Sequence, residues 1–309
     1  MRSPHRTEYG RPDPSIARAA SLGVGLLLGT HWSASAAQDP GTPGPSRELQ
    51  GARSIPSSFF ATTTHFNSDL LVELLDDLGM HTVRVEFMHR LLEPAPGRYD
   101  FSADNPVVAS ADLGASRGLD QLALVTHPAD WVKVPGSAAM FPGDEHVAAF
   151  EELAYRIANK YKGRITHWQA GNEPYMPEWK ERYVTMLKAL SRGVKRADPE
   201  NKVVLCGFSG GSYKEASREP EFLDLVYRHG GKDYFDVIAS HPYTWPLMPE
   251  KGRFLETIRG MHEVMKRNGD SKPLWVTEMG WSGVEPSMLG YLQKDFWHRH
   301  RSVSEEDQA

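Results

Sequence analysis

Two spacings of apolar residues alternate along the chain. FFATTTH (59–65) is rich in β-formers and is followed by Asn67-Ser68, a helix-start signal. DLLVELLDDLG (69–79) then places apolar residues at 70, 71, 74, 75 and 78, a helical spacing that Gly79 stops. HTVRVEF (81–87) predicts a second strand, and a helical stretch near 104–117 ends at Gly118. QLALVTH (121–127) predicts the third strand and HVAAFEELAYRIANKYKG (146–163) its helix. ITHWQAGNE (165–173) predicts the fourth, with a helix over 179–197, and KVVLCGF (202–208) the fifth, with a helix near 219–229. YFDVIASHPY (234–243) and a helix near 253–268 follow, and PLWVTEMGW (273–281) predicts the seventh strand.

Strands that alternate with helices predict a parallel sheet covered by helices. Seven such units in a row favour an α/β fold of the (β/α)8 TIM barrel type, and no Gly-rich nucleotide loop follows any strand to suggest an open dinucleotide-binding sheet. A closed barrel takes eight strands. Past Trp281, HRHRSVSEEDQA (298–309) holds a helix-start signal, Ser304 followed by Glu305, Glu306 and Asp307, with no helix body after it. The expectation is therefore a C-terminally truncated barrel of about seven βα units. In the alternative, a partner chain or PSMLGYLQKDFWHRH (286–300) fills the gap.

The N-terminal region breaks the rhythm. Arg2, Arg6, Arg11 and Arg18 precede an apolar run at 19–30, and Ala34-Ser35-Ala36 fits a small-residue cleavage site. Residues 1–37 read as a signal peptide, so a secreted or periplasmic location is expected; the apolar run is too short for a membrane span, which needs ~20 residues. Residues 38–54, rich in Pro and Gly, read as a flexible linker, leaving 55–309 as the barrel. A net charge of −5 with no basic run excludes an obvious nucleic-acid or anionic-membrane surface. The single cysteine, Cys206, excludes an intrachain disulfide and reads as a small core residue.

In a TIM barrel the site lies at the C-terminal ends of the strands. Those ends carry His65, Glu86, His127, Asn172, Glu173, Ser209, His241, Tyr243, Glu278 and Trp281. A pair of carboxyl groups flanking a bond is what glycosidic cleavage requires. Glu173 closes the fourth strand and Glu278 the seventh, and strand ends face one another across a barrel mouth. On the seventh strand, period-two alternation puts Leu274, Val276 and Glu278 on one face, predicted to point inward. Strict alternation would not aim Asn172 and Glu173 together, so a bend is expected at Gly171 and Pro174.

The Asn172-Glu173-Pro174 triplet and TEMGW (277–281), with LGMHTVRVEFMHRLLEPAPGRYDFS (78–102), resemble the retaining glycoside hydrolases with (β/α)8 barrels, most of all family 39. The resemblance covers about residues 58–309. It implies Glu173 as general acid/base and Glu278 as nucleophile, Asn172 on the sugar 2-hydroxyl, and Arg84, His127, His241, Tyr243 and Trp281 around the substrate. It implies a carbohydrate substrate and no cofactor or metal. Several residues keep a second reading: Arg84 as a structural partner of Glu86, Tyr243 as a packing residue, His127 and His65 as closure of the barrel top, and Trp131, Trp245 and Trp281 as rim covers. Two other functions stay open. A non-catalytic or weakly active carbohydrate-binding barrel fits the same fold. A metal-dependent hydrolase is the other, although H-E-x-x-H is missing and the first strand ends without an H-x-H pair.

Overall fold

The computed structural model describes residues 60–133, 142–174, 179–208, 218–244 and 252–280. The expected signal segment and linker, and everything from Trp281 onward, lie outside the described residues. The order is β1 (Ala61–Thr64), α1 (Asp69–Asp77), β2 (Thr82–Met88), α2 (His89–Leu92), α3 (Pro106–Ser116), β3 (Asp120–Thr126), α4 (Val147–Lys160), β4 (His167–Ala170), α5 (Trp179–Ala197), β5 (Lys202–Val204), α6 (Glu219–Arg228), β6 (Ile238–Ser240), α7 (Phe254–Arg267) and β7 (Leu274–Val276). The seven strands and their helices fall where the pattern places them. β4 to β7 are shorter than their apolar runs, because the backbone leaves the ladder where it turns toward the strand-end loops. Among the described residues no helix is long and apolar enough to cross a membrane.

β1 to β5 pair in sequential order, all parallel, and β6 pairs with β7 in the same sense. A bridge between Val204 and Val237 joins β5 to the approach of β6. Strictly sequential parallel order has no switch point, unlike an open doubly wound sheet. The sheet must also curl, since a β2 side chain, Arg84, reaches Glu278 just past β7. These are the features of a TIM barrel.

Alternation sorts the side chains between two cores. Outward-facing Val85 and Phe87 of β2, Ala123 and Val125 of β3, and Trp168 and Ala170 of β4 pack under the helices in one large cluster. Trp168 is fully buried, and the Phe87 ring stands edge-on to both Trp168 and Tyr161, with centroids 5.6 and 5.5 Å away. A buried Trp contributes a large apolar area and accepts few orientations. The inner cluster is small: Leu122, Val204, Val237 and Ala239, with Trp275 against them. Cys206 is buried, as expected of a core residue, and burial pushes its thiol well above the usual range.

The turns follow local rules. Ser68 caps α1 by accepting from the Leu71 N–H, and Gly79 follows the helix at φ +66°. Asn67, also expected at the cap, does something else. Its amide donates to the Ser110 carbonyl and to Gln121 Oε1, and its backbone N–H donates to Ser110 Oγ. It thus pins the β1–α1 corner to α3 and β3. Asn67→Ala should lower unfolding free energy by about 1–3 kcal/mol, the cost of stranding buried polar partners. A urea titration reads this as a lower midpoint at unchanged slope; an unmoved midpoint would show that the corner does not depend on Asn67.

Candidate active site

The outward lock of Trp168 places its neighbour Gln169 on the inner face of β4, level with Glu86, Leu124 and Val204. Beyond Ala170 the chain leaves the ladder. Gly171 takes φ +74° and Glu173 φ +37°. The expected bend is therefore built by Gly171 and by Glu173 itself, a position where a side chain carries backbone strain. The Glu173 N–H donates to the Gly207 carbonyl at 3.0 Å, which ties the bend to the end of β5. Glu173 is buried, with 6% of its surface exposed.

The seventh strand corrects the expected facing. Leu274 packs in the outer cluster, whereas Trp275 joins the inner one and Thr277 bonds Gln169 across the barrel. β7 ends at Val276, so alternation no longer governs Glu278, which reaches the mouth from the irregular segment after the strand. Tyr243 Oη donates to Glu278 Oε1 at 2.8 Å and Arg84 Nη1 donates to Oε2 at 3.3 Å. An oxygen of Glu173, a nitrogen of His241 and an oxygen of Glu278 lie within 4.8 Å of one another. His241 Nδ1 stands 2.8 Å from Glu173 Oε1 and 3.6 Å from Glu278 Oε2, between the two carboxyls. Among the described residues this is the set whose spacing could admit a cation. Arg84 and Tyr243 each donate to one oxygen of Glu278, and Arg84 supplies positive charge there.

Arg84 is buried in the floor of this site. Its Nε donates to Gln169 Oε1 at 2.6 Å and its Nη2 to Asn172 Oδ1 at 2.6 Å. Burial lowers its pKa from the ordinary value, opposed by the nearby charges of Glu278, Glu173 and Glu86. Glu86 turns instead to His65 Nδ1 at 3.0 Å and His127 Nε2 at 3.4 Å. His127 also has a left-handed backbone, at φ +48°, and its carbonyl accepts from the Arg90 N–H. Gly207 carries no side chain for a steric reason: a Cβ there would overlap the His241 ring.

The structure thus gathers Arg84, Asn172, Glu173, His241, Tyr243 and Glu278 in one hydrogen-bonded group, with His127 beside Glu86 on the neighbouring strand ends. Trp131 Nε1 donates to the Glu93 carbonyl at 2.9 Å, and its ring meets His89 and His146 edge-on. Ser209, Trp245 and Trp281 lie outside the described residues. The sequence reading passed over Gln169, Thr277 and Gly207. For Gln169 the available signal was a polar residue beside apolar ones on the fourth strand; Thr277 and Gly207 lie past their strand ends and carry none. Burial, and then the Glu278 carboxylate, raise the Tyr243 pKa above its usual value. A raised pKa keeps the phenol protonated, and so a donor, at higher pH. Tyr243 should therefore contribute no phenolate absorbance near pH ~10, where a free tyrosine is half ionised. Subtracting the ultraviolet titration of Tyr243→Phe checks this; a difference appearing by pH ~10 would contradict it.

No protein-family model matches this sequence, and no curated protein does. Solved structures do. A family 39 glycoside hydrolase from the gut symbiont Bacteroides cellulosilyticus WH2 superimposes with a TM-score of 0.57 at 21% identity, over 74% of this chain and 50% of that one. The Pseudomonas stutzeri endoglucanase Cel5A does so with 0.51 at 15% identity, over 74% of each chain. A fungal β-1,4-galactanase gives 0.51 at 18% identity, over 73% of this chain and 70% of its own. The chain spans half the length of the family 39 enzyme it matches. Structures so distant in sequence show the fold alone, and the fold they share with this chain is a (β/α) barrel.

Proposed function

We propose that this protein is a retaining glycosidase, with Glu173 as general acid/base and Glu278 as nucleophile. The observation that carries the reading is the pair of carboxyl groups at the ends of β4 and β7, with oxygens within 4.8 Å. Retaining enzymes hold their carboxyls ~5 Å apart, whereas inverting ones leave room for a water between them. The likeness to solved glycoside hydrolases supports the same reading.

Each neighbour then has a task. A Glu278 oxygen attacks the anomeric carbon while Glu173 gives its proton to the departing glycosidic oxygen, and the carbon–oxygen bond to the leaving group breaks. Water then attacks the same carbon, Glu173 takes its proton, and the bond to Glu278 breaks. Two inversions give net retention. Tyr243 and Arg84 each donate to Glu278 and so aim it. Asn172 accepts from Arg84 through Oδ1, which leaves its Nδ2 amide to donate to a sugar hydroxyl. The signal read over residues 1–37 would place this chemistry outside the cytoplasm.

A panel of aryl glycosides identifies the sugar, and NMR of the first-formed anomer should show retention; inversion would remove Glu278 from the nucleophile's role. Glu278→Ala should abolish turnover, with azide giving a glycosyl azide of inverted configuration. Glu173→Ala should slow substrates with poor leaving groups by about 10²–10⁴-fold, the usual range for a lost acid/base, and spare highly activated ones. Equal losses on both kinds of substrate would count against Glu173 as the acid.

A further inference from the structure

Two buried side chains under the carboxyl pair decide where His241 carries its proton. Gln169 is fully buried and Thr277 nearly so. Arg84 Nε can only donate, so the Gln169 side-chain oxygen must face it, at 2.6 Å. The Gln169 amide nitrogen then faces the Leu205 carbonyl at 2.9 Å and Thr277 Oγ1 at 3.2 Å, and donates to both. The Thr277 oxygen is thereby an acceptor from Gln169. Its other neighbour is His241 Nε2, at 3.0 Å. A proton on Nε2 would aim two donors at one hydroxyl and leave the hydroxyl's own hydrogen buried without an acceptor, which folded proteins avoid.

We infer that the Arg84–Gln169–Thr277 chain holds His241 as the Nδ1–H tautomer, making Gln169 and Thr277 positioning residues for the acid. The inference rests on the proposed role of Glu173. His241 then presents an N–H, not a lone pair, to Glu173 Oε1 at 2.8 Å. A protonated Glu173 cannot share its hydrogen with the imidazole. The hydrogen is confined to the other carboxyl oxygen, from which it passes to the departing glycosidic oxygen. With the opposite tautomer, Nδ1 would draw that proton into an unproductive bond inside the protein. The ring is held in place from below, since Gly207 leaves room for it and nothing larger would.

Nitrogen NMR of the full protein with ¹⁵N-labelled histidine tests this directly, with the His241 signals assigned by their loss in His241→Gln. At neutral pH, Nδ1 should show a protonated-type shift and Nε2 an unprotonated one. Thr277→Ser, which keeps the hydroxyl, should preserve the pattern, and Thr277→Val should move the two shifts toward each other. A proton found on Nε2 in the wild type overturns the inference. These shifts need no substrate, so they answer the tautomer question even if every glycoside assay is negative, an outcome that would tell against the proposed function alone. In turnover, Thr277→Val should slow aryl glycosides with poor leaving groups by about 10–100-fold, part of the usual acid-catalysis effect, and change activated ones by less than about threefold. Thr277→Ser should restore the wild-type ratio. Equal losses on both substrates would overturn the positioning role.

Discussion

A guanidinium in the floor of a barrel is the constraint on which the site depends. Arg84 is almost wholly removed from water, and a buried charge is tolerated only when it is paired and its donors are occupied. Its partners come from far along the chain: Gln169 and Asn172 from the fourth strand's end, Glu278 from beyond the seventh. The sheet has to curl for these groups to meet. The same contacts that satisfy the charge therefore bring the two carboxyls together.

The hydrogen bonds around the carboxyls form a chain from one to the other. Glu173 meets His241, His241 meets Thr277, Thr277 meets Gln169, Gln169 meets Arg84, and Arg84 returns to Glu278. Most of these groups are buried, where a hydrogen bond is electrostatically stronger and an unmade one costs more. Such a chain resists piecemeal rearrangement, because moving an inner member takes a partner from each of its two neighbours. It also explains the odd chemistry of the inner core, where Gln and Thr occupy positions that pattern alone would fill with Val or Leu.

Much of the fold was legible because each helix and strand announces itself with its own period, and α5 runs over the expected span of Trp179–Ala197. Glu173, Glu278 and Arg84 were legible because they stand at strand ends or on a strand facing them. The facing of the seventh strand was not, and the reason is length. With a three-residue strand, Leu274 and Val276 look like an inner stripe, yet Trp275 is the one that packs against the inner cluster. Period two gives two equivalent answers, and only the neighbouring strands choose between them. Gln169, Thr277 and Gly207 escaped notice for a similar cause. Their meaning lies in partners dozens of residues away, and no local motif marks them.

Glu173, the side chain proposed as the acid, sits on a backbone that suits it poorly. Its left-handed φ of +37° is a conformation that Gly and Asn enter with less strain, and such strain typically costs about 1–3 kcal/mol. Thermal robustness and chemistry therefore pull against each other at this residue. A laboratory selection for heat resistance alone would weigh relief of that strain against a stranded His241 N–H, and would be blind to the chemistry of the carboxyl group. Consensus or stability-ranked redesign of this barrel would meet the same trap unless position 173 were held fixed.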